Sequence, residues 1–349
     1  MLPLAIPALL LAAGQALDMV NLFAWGAPVV VFVIIPILDW MLGQDALNPD
    51  EVEEVPSMNK ERFYKFLTLT WVALFAGLQV WAMVLLASGM FSTLGAIGWV
   101  LSIGIVGGLG INVAHELIHK DERLETWAGG LLLSLVCYAG FKVEHLRGHH
   151  VHVSTPEDAS SSRYNQSLYN FLPQAYVRNF LNAWKLEAQR LERKALNPLS
   201  WRNELIWWYS ISALALVAYT VAFGWLGAAF FLGQSFIAFT LLEIVNYLEH
   251  YGLHRRKLDN GRYERTMPEH SWNSNYFLTN VFLFHLQRHS DHHAYAKRRY
   301  QVLRHHEVAP QLPAGYATMI VLACIPPLWK KVMNPRVEAY YKGEEHQLA

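Results

Sequence analysis

The sequence has few charged residues and almost no cysteine for its length. Only 16% of its 349 residues are charged and 53% are hydrophobic, whereas an average soluble domain is about 25% charged. The formal net charge is zero, so nothing in the charge balance indicates nucleic acid as a partner. Two cysteines, Cys137 and Cys324, are too few for a disulfide scaffold or a four-cysteine zinc or iron–sulfur site. The composition favours a membrane protein over one large soluble domain.

Lysine and arginine are absent from three long stretches of the chain. These stretches precede Lys60, run from Phe66 to His119, and run from Leu205 to His254. Each is long enough for two membrane spans of about 20 residues. Short turns divide each stretch into a helical hairpin. The sequence therefore predicts an all-α integral membrane protein, a single membrane domain over residues 1–349, with six spans in three hairpins at 4–22, 27–42, 66–87, 94–113, 205–223 and 226–247.

The polar segments between these spans predict the topology. Segments 44–65, 114–204 and 248–349 hold all 28 lysines and arginines. An even number of spans separates them, so all three lie on one side of the membrane. The positive-inside rule assigns that side to the cytoplasm.

Histidine is unusually abundant and clustered. Of 16 histidines, nine fall in four short groups at or beyond the predicted cytoplasmic ends of spans. Residues four apart share a helix face, so His115 and His119 can bind one metal ion. His145 and His149 have the same spacing, and His150 is offset by about 100° on a helix, which lets one helix serve two metals. The predicted metal ligands are His115, His119, His145, His149, His150, His250, His289, His292 and His293.

Nine imidazoles exceed the capacity of one ion, which takes about four to six ligands, so we predict two metal ions. Imidazole binds zinc, copper, iron and nickel alike, and the ligand type alone does not identify the metal. A metal-bound imidazole usually donates its other N–H to a carboxylate or carbonyl. The carboxylates placed for that role beside the histidine groups are Glu116, Glu144, Glu249 and Asp291.

Two other classes of protein also use such histidines. The motif His115–His119 is an H-E-x-x-H sequence typical of zinc metalloproteases, but one zinc with three protein ligands leaves six clustered histidines unexplained. A metal transporter should carry polar or ionisable residues through its spans. The predicted spans have almost none beyond Asp18, Asp39 and Glu243.

The four histidine groups resemble the signatures of the membrane-bound alkane 1-monooxygenases. The family patterns HELxHK, EHxxGHH, NYxEHYG and LQRHxDHHA occur at His115–Lys120, Glu144–His150, Asn246–Gly252 and Leu286–Ala294. The resemblance implies a six-helix bundle in the bacterial inner membrane with a cytoplasmic catalytic lobe. It also implies two non-haem iron ions held by the nine histidines, with no catalytic residue beyond the metal centre. Fatty-acyl desaturases and hydroxylases of the same superfamily share the looser histidine spacing and remain the alternative.

The resemblance also implies a reaction and its partners. The expected reaction hydroxylates the terminal carbon of a medium- or long-chain alkane, drawn from the membrane lipids, with O2 as co-substrate. Electrons are expected from rubredoxin, separate or fused beyond the C-terminus, which a flavoprotein reductase reduces. Rubredoxins are typically acidic, so the basic residues after the last histidine group are a candidate docking surface: Lys297, Arg298, Arg299 and Arg304. The alternative is that these four residues bind lipid headgroups or are simply solvated.

Overall fold

The computed structural model of the protein describes residues 2–342. Met1 and residues 343–349, the end of the predicted segment 248–349, lie outside the described residues. Residues 2–342 contain helices and three isolated β-bridges but no β-strand. The α-helices are Leu2–Ala16, Val20–Phe23, Gly26–Val29, Ile35–Leu42, Glu54–Lys60, Arg62–Ala87, Thr93–Ile118, Arg123–Ser134, Phe141–Glu144, His150–His152, Leu168–Glu192, Glu204–Glu249, Phe277–Phe282, His289–Ala294, Tyr316–Ala323 and Pro326–Tyr341, with π-helical segments at Val30–Ile34 and His145–His149 and 3-10 turns at Pro268–His270 and Tyr300–Val302. The all-α prediction is confirmed.

Within residues 2–342, three helices are long and apolar enough to cross a membrane: Arg62–Ala87, Thr93–Ile118 and Glu204–Glu249. The predicted spans 66–87 and 94–113 lie inside the first two. Ser92 caps the N-terminus of the second of these helices, because its side chain accepts a hydrogen bond from the backbone N–H of Gly95 at 3.2 Å.

The third of these helices is interrupted at Gly224. Its φ of 63° and ψ of −153° lie in a region that glycine alone adopts without strain. The helical segments on either side of this residue correspond to the predicted spans 205–223 and 226–247. A side chain at position 224 would strain the turn that separates them.

The first N-terminal helix ends earlier than predicted, whereas the second covers its predicted span 27–42. The predicted span 4–22 breaks after Ala16, where Asp18 takes a φ of 54°. Helical structure then runs from Gly26 to Leu42 through the π-helical segment, over 17 residues. Helices of 15 and 17 residues are short for a bilayer, which usually requires about 20.

Large apolar side chains are exposed along the long helices. Leu214, Val217 and Val221 follow each other at three- and four-residue spacing before the interruption at Gly224 and are 67%, 57% and 82% exposed. Such a stripe is unfavourable in water and is expected on a helix that faces lipid.

The chain divides into two compact units. The first comprises the chain up to Ile34, Glu61–Lys142 and Glu187–Leu242, and it contains His115 and His119. The second comprises Ile35–Lys60, Val143–Leu186 and the chain from Glu243, and it contains the other seven predicted ligands.

Candidate metal centre

The first unit places two predicted ligands on one helix end. His115 lies in the last turn of Thr93–Ile118 and His119 follows that helix directly. Both are buried, and their ring centroids are 5.0 Å apart. The predicted partner Glu116 forms a buried ion pair with Lys120, with 2.9 Å between Oε1 and Nζ. The four-residue spacing therefore aligns both the imidazoles and this ion pair.

The second unit brings four imidazoles together through their Nε2 atoms. Nε2 of His293 lies 3.2 Å from that of His149 and 2.9 Å from that of His289. Nε2 of His289 lies 3.2 Å from that of His250. All four side chains are buried, and they form one group of potential metal ligands. We call these residues the four-histidine group.

The second unit also brings together His145, His150 and His292, the three-histidine group. Nε2 of His150 lies 3.1 Å from that of His145 and 3.2 Å from that of His292. His145 and His292 are buried and His150 is half-buried.

The separations between these nitrogens fit metal ligation. Two imidazole nitrogens bound at about 2.1 Å and at right angles on one ion are roughly 3.0 Å apart. The observed separations of 2.9–3.2 Å match that value. Burial lowers the pKa of His250 to about 3. Burial also lowers the pKa of His293, so these imidazoles are neutral, the form that binds a metal.

The division of ligands between the two groups corrects one expectation from the sequence. An ordinary helix would align His145 with His149 and offset His150. The chain instead forms a π-helical turn at His145–His149, in which the His150 N–H bonds to the His145 carbonyl. This wider turn aligns residues five apart. It therefore puts His145 and His150 in the three-histidine group and directs His149 to the four-histidine group.

Gly148 permits this turn to pack closely. A Cβ at this position would lie 2.6 Å from Oε1 of Glu144 and 3.1 Å from Cδ1 of Leu186. Glu144, predicted to support an imidazole, is buried, and its carboxylate hydrogen-bonds Asn182. Burial, followed by the charge on Asp158, raises the pKa of Glu144 well above its usual value.

Glu249 lies on the side of the predicted ligand His289 that faces the other imidazoles. Its Oε2 is 3.2 Å from Nε2 of His289, the nitrogen that also faces His250 and His293. The Tyr316 hydroxyl donates a hydrogen bond to Oε1 of Glu249 at 2.9 Å, and both residues are buried. Tyr316 lies 23 residues beyond the last histidine group, with no spacing that would have identified it.

Asp291 lies between the predicted ligands His289 and His292 in sequence, but its carboxylate contacts basic residues later in the chain. Its carboxylate accepts two hydrogen bonds from the Arg298 guanidinium at 3.0 and 3.1 Å. It also lies 2.8 Å from Nε2 of His306 and accepts a hydrogen bond from the backbone N–H of Arg304 at 3.1 Å. This carboxylate therefore joins the ligand helix to the segment after it.

The predicted docking residues differ in exposure. Lys297 is exposed, whereas Arg298, Arg299 and Arg304 are partly buried. Besides its Asp291 contacts, Arg298 pairs with Glu51 at 3.4 Å, and Arg304 pairs with the same carboxylate at 3.0 Å. The charges of Arg298 and Arg304 are therefore partly balanced within the protein.

Asp158 is a buried carboxylate at the centre that the motifs did not identify. Its Oδ2 lies 2.9 Å from Nδ1 of His149. It belongs to the irregular segment after His152, so no helical periodicity relates it to the ligands. The hydroxyl-rich run Ser160–Ser162 that follows it is the available signal in the sequence.

Comparisons with known proteins place this chain among proteins of known family. The fatty acid desaturase family model matches residues 91–323. The chain is similar to an alkane 1-monooxygenase 2 of Pseudomonas aeruginosa, with 67% identity over 95% of this chain and 88% of the relative. It is also 62% identical to an alkane 1-monooxygenase 2 of Alcanivorax borkumensis, over 93% of this chain and 86% of the relative. An alkane 1-monooxygenase of Acinetobacter baylyi is 42% identical, over 93% of this chain and 79% of the relative.

Proposed function

The chain belongs to the membrane-bound alkane 1-monooxygenases, within the fatty acid desaturase family, and we propose that it hydroxylates the terminal carbon of medium- or long-chain alkanes. One oxygen atom of O2 enters the alcohol, and the other leaves as water with two electrons and two protons. The observation that carries this proposal is the convergence of buried imidazole nitrogens at ligand spacing.

Two non-haem iron ions are the proposed cofactor. The four-histidine group would hold one ion through the Nε2 atoms of His149, His250, His289 and His293. The three-histidine group would hold the second ion. We propose His115 and His119 as further metal ligands because they belong to the same set of sequence signatures as the other seven histidines. Bound iron would supply the activation of O2 and the attack on an unactivated C–H bond.

The protein's own residues position and isolate this chemistry. The buried imidazoles would hold each ion away from bulk water, and this burial would protect the reacting carbon from water. Exposed apolar side chains such as Leu214, Val217 and Val221 suit a bilayer, into which alkanes partition. We propose six spans in the bacterial inner membrane, with the metal centre in a cytoplasmic lobe where all the basic residues lie.

The electrons require a separate redox centre. Rubredoxin iron needs four cysteine ligands, and this sequence has two cysteines. We propose rubredoxin, reduced by a flavoprotein, as the donor, and a docking surface around Lys297, Arg298, Arg299 and Arg304. Lys297 is the most favourable of these for an acidic partner because it is exposed.

Product analysis tests the reaction. Purified protein in lipid, with rubredoxin, its reductase and ¹⁸O2, would be offered a mixture of alkanes and fatty-acyl substrates. Terminal alcohols containing one ¹⁸O atom are expected. A desaturated acyl chain would favour the alternative function suggested by the fatty acid desaturase model.

A further inference from the structure

Asp158 contacts a proposed ligand from the side opposite the metal. Its Oδ2 lies 2.9 Å from Nδ1 of His149, and the two side chains are 0% and 1% exposed. An ionised carboxylate only accepts hydrogen bonds, so Nδ1 of His149 must carry the proton. In the neutral imidazole, Nε2 then has the free lone pair, and this atom faces His293 at 3.2 Å.

The segment around Asp158 holds its carboxylate in place. The Ser161 hydroxyl donates to Oδ2 at 2.5 Å, and the Ser160 N–H donates to Oδ1 at 3.2 Å. The Ser154 N–H in turn donates to the Ser161 oxygen at 2.8 Å. The Ser160 and Ser161 contacts leave the Asp158 oxygens as hydrogen-bond acceptors and orient the carboxylate toward Nδ1 of His149.

This support is unequal within the four-histidine group. Nδ1 of His250 lies 3.5 Å from the Ser271 hydroxyl, and the His250 side chain also hydrogen-bonds the His270 backbone, so both of its partners are uncharged. Nδ1 of His293 has no hydrogen-bond partner among residues 2–342. A carboxylate behind an imidazole fixes its tautomer and raises its basicity. His149 therefore receives a stronger orienting contact than His250 or His293.

We propose that Asp158 is a positioning residue that fixes His149 as an Nε2 ligand and thereby retains the metal ion of the four-histidine group. This inference rests on the proposed di-iron function. It also predicts that the two ions respond differently when the contact is lost, because His149 belongs to only one group.

The test compares Asp158→Ala with Asp158→Asn and with Glu157→Gln as the matched control. Alanine removes the hydrogen-bond acceptor for His149. The asparagine amide oxygen can still accept a hydrogen bond from the Nδ1–H of His149, but it lacks the negative charge of the carboxylate. Glu157 is the adjacent carboxylate and is exposed. The full-length proteins would be loaded with ⁵⁷Fe, and iron per chain, the rate of iron loss to a chelator and the Mössbauer spectrum would be measured.

We expect Asp158→Ala to lose one of its two irons preferentially, with affinity weakened by about 10–100-fold. One of the two Mössbauer components should disappear or shift. Asp158→Asn should show a smaller effect, and Glu157→Gln should match the parent.

Three results would overturn the inference. The first is an Asp158→Ala protein that keeps both irons with the parental spectrum and chelator resistance. The second is an equal loss of both irons. The third is a loss of thermal stability in the iron-free protein as large as in the loaded protein, which would make the contact merely structural. If Asp158→Ala does not fold, Asp158→Asn decides: faster loss of one iron supports the inference and a parental rate refutes it. A parent that binds no iron would instead refute the proposed function.

Discussion

Replacing Gly148 with alanine should destabilise the metal centre directly. The new Cβ would lie 2.6 Å from Oε1 of Glu144, well inside van der Waals contact, and 3.1 Å from Cδ1 of Leu186. Overpacking of this kind costs about 1–3 kcal/mol, and the better helix propensity of alanine returns about 0.5–1 kcal/mol. The difference is a net loss of about 0–2.5 kcal/mol, and we expect the upper half of that range because Glu144 is buried and must move within a packed interior.

The assay is thermal unfolding in detergent or lipid together with iron content. Gly77→Ala is the matched control, because no atom lies within 4 Å of a Cβ at that exposed helical position. That substitution should be neutral or stabilising by about 0.4–1 kcal/mol. Gly148→Ala should lower the unfolding midpoint and the iron content together, because His145 and His149 are on the same turn. A Gly148→Ala protein with the parental midpoint and full iron would refute the close packing described for this turn.

Four further substitutions test a predicted ligand, the contacts of Glu249 and the docking surface. His292→Ala should lower iron content and abolish alkane hydroxylation, and full activity would remove His292 from the ligand set. Glu249→Ala should keep the fold but weaken iron retention or activity by about 10–100-fold. Tyr316→Phe should give a smaller effect of the same kind. If both variants retain iron and activity like the parent, Glu249 is only a carboxylate at a helix end. Lys297→Glu should slow turnover at limiting rubredoxin and low salt while leaving iron unchanged, since exposed charges are screened over about 8–10 Å near physiological salt; an unchanged rate there would exclude Lys297 from the docking surface.

The histidine spacing predicted which imidazoles lie together more reliably than it predicted which residues contact them. The predicted ligands His289 and His293 are four residues apart on an ordinary helix, so helical periodicity places both in one group. The same rule misassigned the face of His150 because the backbone forms a π-helical turn at His145–His149. No residue pattern in the sequence distinguished that turn from an α-helix.

The carboxylates were harder to assign because proximity in sequence does not specify which atom a side chain contacts. Asp291 adjoins His292 yet binds Arg298 and His306, residues brought to it by the following loop. Asp158, in contrast, reaches His149 from an irregular segment nine residues away. The path of the irregular backbone between the residues determines these contacts, and the sequence pattern does not specify that path.

Iron titration of the metal-free protein tests the central claim most directly. Increments of Fe(II) would be added anaerobically, and bound iron and terminal alcohol formed with rubredoxin, reductase and O2 would be measured at each point. Saturation at about two irons per chain is expected from the nine-histidine set, with alcohol formation reaching its maximum only as the second ion binds. Full activity at one iron, or a protein that binds only zinc and forms no alcohol, would contradict the di-iron assignment.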